Sequence, residues 1–230
     1  MYFSSIFQDP ERMMDILQSS LMPMLKGALY YSIPLTLSSF VIGMALALLT
    51  ALARLSNVSI FRGIARVYVS AIRGTPLLVQ LFIIFYGLPN LGLNIDSFPS
   101  AVIAFSLNVG AYASEIVRAS IESIPKGQWE AGYSVGMTYR QTLKRIVLPQ
   151  AARVSIPPLS NTFISLVKDT SLASLVLVAE MFRKAQEIAA TNYQFLLVYM
   201  EAAFLYWVIC FILSIAQDRI EIRLSRHIAK

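Results

Sequence analysis

Apolar positions in this chain gather into long uninterrupted stretches parted by short polar intervals. Apolar runs cover residues 27–53, 67–88, 98–117, 156–178 and 193–217. At about 1.5 Å rise per residue each is long enough, as a helix, to cross roughly 30 Å of hydrocarbon. The first, from Gly27 to Ala53, contains no charged residue, whereas the second is interrupted by Arg73-Gly74-Thr75-Pro76. Ahead of the first run Met13, Leu17, Leu21 and Met24 recur at helical spacing. They predict an interfacial helix within an external segment spanning 1–26. The N-terminus lacks a basic region and short apolar stretch before a small-residue cleavage site, so a removed signal peptide is not expected. The predicted fold is all-α: a polytopic membrane protein of five transmembrane helices, with 1–230 forming a single transmembrane domain.

Composition agrees with this pattern. Hydrophobic residues make up 57% of the chain and charged residues 14%, against about 25% charged in soluble domains. The net charge of +6 then reads as basic loops and not as a nucleic-acid surface. Arg54, Arg62 and Arg66 lie in the first interval; Arg118, Lys126, Arg140, Lys144, Arg145 and Arg153 in the third; Arg219, Arg223, Arg226 and Lys230 in the tail. On the other side, Arg12 and Lys26 are offset by Asp9, Glu11 and Asp15, the second interval holds only Asp96, and the fourth balances Arg183 and Lys184 against Glu180 and Glu187. The positive-inside rule therefore puts the N-terminus outside and the C-terminus in the cytoplasm. A lone cysteine, Cys210, and a lone histidine, His227, exclude an intrachain disulfide and most His/Cys metal sites and Ser-His or Cys-His hydrolases.

The third interval, 119–153, carries the most local information. Pro125 and Gly127 make a turn, and a short helix is expected over 128–135. Gly136 permits a tight reversal that a Cβ would resist. Thr138 and Gln141 have capping-box spacing for a second short helix, and Pro149 redirects the chain toward the membrane. Two short helices at an angle, with Trp129, Tyr133 and Val135 available, suit a docking knob; the alternative is an amphipathic loop lying on lipid headgroups.

The spacing Glu130-Ala131-Gly132, three residues, Gly136, nine residues, Ile146-x-Leu148-Pro149 resembles the EAA loop of permease subunits of bacterial ABC importers, with Gly in place of Ala at the third position. Arg73-Gly74-Thr75-Pro76-Leu77-Leu78-Val79-Gln80, Ala111-Tyr112-Ala113-Ser114-Glu115-Ile116-Val117-Arg118 and Lys168-Asp169-Thr170-Ser171-Leu172 look like signatures of the polar amino-acid uptake branch. The Phe82–Pro89 run gives a cystine-type impression. The resemblance implies a type I ABC importer fold in the bacterial cytoplasmic membrane. It also implies a second permease copy, cytoplasmic ABC ATPase subunits and an extracytoplasmic amino-acid-binding protein as partners. Glu130, Ala131, Gly132 and Gly136 would be the residues that couple to the ATPase. The chain has no Gly-x-x-x-x-Gly-Lys-[Ser/Thr] phosphate loop, so no cofactor is expected in it: ATP and Mg belong to the separate ATPase. The alternatives are an ion-driven secondary transporter and an intramembrane enzyme; the EAA spacing opposes the first and the lack of a base opposes the second.

Polar residues within the spans are the candidate substrate site, because a charge at the bilayer centre costs at least about 2.5 kcal/mol and asks for a partner or a cavity. Lys168 and Asp169 are adjacent, so they point about 100° apart and face different partners. Asp169 either meets a substrate ammonium or sits in a structural ion pair. Glu115 either meets Lys168 or lies near the cytoplasmic boundary beside Arg118. The break at Gly74 and Pro76 frees backbone groups and lets Thr75 and Gln80 face a cavity. Asn108, Asn161 and Ser171 complete the candidate set, with helix-to-helix hydrogen bonding as the alternative for Asn108. Glu201 is read as structural or pore-lining.

Overall fold

In the computed structural model, residues 10–225 are described, so Arg226, His227 and Lys230 of the tail and the first nine residues lie outside the described residues. The chain follows the helices α1 (Pro10–Leu55), α2 (Ser59–Arg73), α3 (Leu77–Leu91), α4 (Ser97–Glu122), α5 (Lys126–Ser134), α6 (Tyr139–Val176), α7 (Met181–Asn192) and α8 (Phe195–Ser225). Among the described residues, Pro10–Leu55, Ser97–Glu122 and Phe195–Arg223 are each long and apolar enough to cross a membrane. Two bent pairs raise the number to five if each is one span: α2 with α3, bent by 103°, and α6 with α7, bent by 51°.

Prolines shape these helices in a repeated way. A wide turn occupies Ala28–Ser32 in α1, Ile83–Gly87 in α3 and Leu143–Val147 in α6. At its end an amide donates five residues back, Ile33 to Ala28, Leu88 to Ile83 and Leu148 to Leu143. In each case a proline follows two residues later: Pro34, Pro89 and Pro149. A proline ring inside a helix collides with the carbonyl four residues back and has no N–H to give it. Widening the preceding turn relieves the collision without ending the helix.

Two expectations about boundaries need correction and one is met. Among the described residues, the part of the 1–26 segment from Pro10 onward is not a separate interfacial helix but runs without a break into the first span. The break expected in the second span is present: Gly74 ends α2, Pro76 starts α3, and the two diverge sharply. The fourth interval is not an open charged loop, because α7 fills it and packs on α1. The close approach is visible at Gly27, where an added Cβ would lie 3.0 Å from the backbone of Glu180. Glu180 itself, read from the sequence as a loop charge, is fully buried. Its carboxylate caps α7, accepting from the amides of Phe182 at 2.8 Å and Arg183 at 2.6 Å, and the Tyr206 hydroxyl donates to it at 3.0 Å.

The main core joins α1, α3, α4 and α6 through Leu35, Ala47, Leu81, Phe105, Val109, Leu166 and Val176. Small residues let α1 and α4 cross closely: a Cβ on Gly43 would fall 2.6 Å from Val109. At one end of the bundle Ile121 in the last turn of α4 and Ile124 just after it pack with Val147 and Ala151 of α6, joined by Leu55 and Trp129. At the other, Ala101 and Phe105 pack with Ala173 and Val176. These two clusters make α4 and α6 antiparallel and bring the end of α1 beside the loop that joins them.

Candidate functional site

The break between α2 and α3 opens one wall of a polar cavity of about 490 Å³. Thr75, Pro76 and Leu77 line it from the break, Asn108 and Tyr112 from α4, and Asn161, Thr162, Ser165 and Asp169 from α6. The spacings explain the lining. Asn108 and Tyr112 are four residues apart, as are Asn161, Ser165 and Asp169 in succession, so each set occupies one helical face. Four of the seven residues proposed from the sequence therefore share this cavity: Thr75, Asn108, Asn161 and Asp169. Tyr112, Thr162 and Ser165 were missed, although the four-residue spacing from Asn108 and Asn161 marks Tyr112 and Ser165.

The other three are elsewhere. Gln80 is buried beneath the break, where its Nε2 donates to the carbonyls of Ile72 at 2.7 Å and Thr75 at 3.0 Å. Its Oε1 accepts from Asn108 Nδ2 at 3.4 Å. The amide thus satisfies carbonyls that the missing helical turn leaves unpaired, and braces the break against α4. Ser171 is turned back onto the Lys168 carbonyl at 2.8 Å. Glu115 lies one turn past Tyr112 and is not paired with Lys168. Arginines surround it instead: Arg54 at the end of α1 in direct contact, Arg118 at 2.8 Å and Arg73 at 3.6 Å. Arg118 also reaches Glu122 at 2.6 Å. The alternative of a Glu115–Arg118 pair near the loop end is the one realised, enlarged by two further arginines that sequence distance concealed.

The loop beyond this cluster keeps its first short helix and its reversal, but the second short helix is not separate: it is the start of α6, which runs on through Pro149. The loop's first helix covers Lys126–Ser134 in place of 128–135, and its left-handed residue is Gly136, at φ +80°. Thr138 and Gln141 form the capping box in both directions, with Gln141 Oε1 accepting from the Thr138 amide at 2.8 Å. Trp129 stacks on Tyr139, ring centroids 5.4 Å apart, which ties α5 to the start of α6. Glu130 and Ala131 are exposed and Gly132 is buried. An added Cβ on Gly132 would lie 2.6 Å from the Thr142 side chain. Glycine at this third position is thus matched to a threonine on the facing helix. Tyr133, Val135 and Tyr139 present exposed apolar surface on the same knob.

A bundle of helices long and apolar enough to cross a membrane, a polar cavity at a broken span and a knob at one end, where α5 packs on the start of α6, define a membrane transport subunit. The chain belongs to the family of binding-protein-dependent transport system inner membrane components, whose model matches residues 39–226. It is 68% identical over 217 residues to the L-cystine transport system permease protein TcyB of Bacillus subtilis (strain 168), covering 94% of this chain and 93% of that protein. It is 39% identical to the glutamine transport system permease protein GlnP of Escherichia coli (strain K12), covering 80% and 84%. A crystal structure of an amino acid ABC transporter with histidines matches with a TM-score of 0.84 at 33% identity, over 88% of this chain and 94% of that one.

Proposed function

We propose that this chain is the permease subunit of an ATP-driven amino-acid importer and that L-cystine is its substrate. The observation that carries the reading is the cavity at the α2–α3 break, where Thr75, Asn108, Asn161, Ser165 and Asp169 converge inside an otherwise apolar bundle. Polar groups at that depth are costly unless they serve a solute or each other. Close similarity to a cystine permease over nearly the whole length supports the choice of substrate.

In this reading the N-terminus is outside, and the 119–153 loop and the tail are cytoplasmic. The packing of Leu55 beside Ile121, Ile124 and Val147 supports a shared side for the first and third loops, the two that carry the most unopposed basic charge. The exposed surface of Glu130, Ala131, Tyr133, Val135 and Tyr139 docks on a cytoplasmic ATPase subunit, which binds ATP and Mg. Gly136 and the Trp129–Tyr139 stack make the knob stiff enough to transmit a push to α4 and α6. A second copy related by a twofold axis completes the pathway, and an extracytoplasmic binding protein delivers the amino acid. Transport then proceeds by alternating access about the cavity.

Co-purification tests the assembly. Tagged permease expressed with its neighbours is expected to bring down a stoichiometric ATPase, whose hydrolysis rises when substrate-loaded binding protein is added. A permease that purifies without any ATPase, yet still takes up amino acid, would sink the reading.

A further inference from the structure

The cavity is electrostatically lopsided, and its positive end is built from residues outside its immediate lining. Because α4 and α6 run antiparallel, Asp169 belongs to the end of the cavity away from the 119–153 loop, and Tyr112 to the end nearer it. The Arg73 guanidinium carbon sits 5.3 Å from the centroid of the Tyr112 ring. Arg73 is the last residue of α2, two residues before Thr75 of the cavity wall. Of the three arginines around Glu115 it is the most loosely held, at 3.6 Å, and its side chain is 44% exposed against 17% for Arg54 and 28% for Arg118. Three arginines here face two carboxylates, Glu115 and Glu122, so one positive charge has no carboxylate of its own.

We infer that Arg73 is the specificity-determining counter-charge for the α-carboxylate of the transported amino acid, set against Asp169 at the ammonium end. This rests on the reading of the cavity as the substrate site and adds the polarity of binding to it. A zwitterion entering the cavity lies with its ammonium toward Asp169 and its carboxylate toward the Tyr112 ring, over which the guanidinium swings. Arg73 can make that move because its planar fork offers further donors while one edge still faces Glu115. Gln80 and Thr75 fix the backbone from which it reaches, through the hydrogen bonds that brace the break.

Equilibrium binding of L-cystine and of cystamine to the detergent-purified permease–ATPase complex, without binding protein, tests the assignment. Cystamine keeps both ammonium groups and the disulfide but lacks the carboxylates. Arg73→Gln is expected to weaken L-cystine binding about tenfold, the loss of one charge-assisted contact, and to leave cystamine unchanged. Arg73→Lys should recover part of the loss, and Asp169→Asn should weaken both ligands alike. A uniform shift of both ligands in Arg73→Gln, or no shift in either, would overturn the role of Arg73 while leaving the cavity reading intact. Failure of the wild-type complex to bind L-cystine saturably would overturn both.

Discussion

The 119–153 loop and the polar cavity depend on the chain in opposite ways. Nearly everything that shapes the loop lies within some twenty residues: Gly136 turns it, Thr138 and Gln141 cap it, Trp129 stacks on Tyr139, and Gly132 makes room for Thr142. The cavity is assembled from three helices whose contributions, from Thr75 to Asp169, are far apart in sequence. A locally encoded element can be stiff and self-contained, as the lever proposed for this loop must be. A site built between helices changes shape whenever they shift, which suits the alternating access proposed for this cavity. Damage to the first should therefore uncouple transport without altering substrate preference, and damage to the second should do the reverse.

The largest effect is expected at Gly136. Leucine there pays about 1–2 kcal/mol for the left-handed conformation or abandons the reversal, and either outcome misplaces the knob. ATP-dependent uptake should fall by about two orders of magnitude, while membrane insertion, followed by blotting of membrane fractions, stays normal. Retained uptake would show that the loop is not the lever.

Next comes Glu115→Gln, which leaves Arg54, Arg73 and Arg118 facing one another. Removing the shared carboxylate of a partly exposed ion cluster costs about 1–3 kcal/mol. Thermal unfolding of the purified protein in detergent should drop by several degrees. An unchanged midpoint would mean the three arginines are already solvated and the cluster is not a structural joint.

Substitution at Gly132 sharpens the local side of the contrast. Gly132→Ala should destabilise the docking of α5 against α6 by roughly 1–2 kcal/mol, and Thr142→Ala introduced with it should return most of that. The double-mutant cycle is read from ATPase co-purification and thermal stability. Additive losses would refute the matched pair.

The smallest change is expected for Asp169→Asn, an approximately tenfold rise in the concentration of amino acid that half-saturates binding, with ATPase docking untouched. Lost docking in this variant would mean that cavity and loop are not separable.

Much of the fold was legible because it is written in composition and short-range pattern. Five apolar runs, the Gly136 reversal and the Thr138–Gln141 capping box each depend on residues close in sequence. What escaped depends on tertiary neighbours. Glu180 looks like any loop carboxylate beside Arg183 and Lys184, yet α7 folds onto α1 and buries it among Ser32 and Tyr206. Glu115 seemed available to Lys168, but the arginine at the end of α1 and the one before the break arrive first. Gln80 read as a cavity residue because the break was visible, while the carbonyls of Ile72 and Thr75 that claim its amide became evident only once α2 and α3 had diverged. In the candidate substrate site, helical spacing from Asn108 and Asn161 reaches Tyr112 and Ser165 without further information.

Uptake driven by ATP is the claim on which the account stands. Proteoliposomes carrying the permease with its ATPase, supplied with binding protein and radiolabelled L-cystine, should accumulate label only with ATP on the ATPase side, and should keep doing so after proton and sodium gradients are collapsed. Accumulation that follows an imposed ion gradient, with no requirement for ATP, would contradict it.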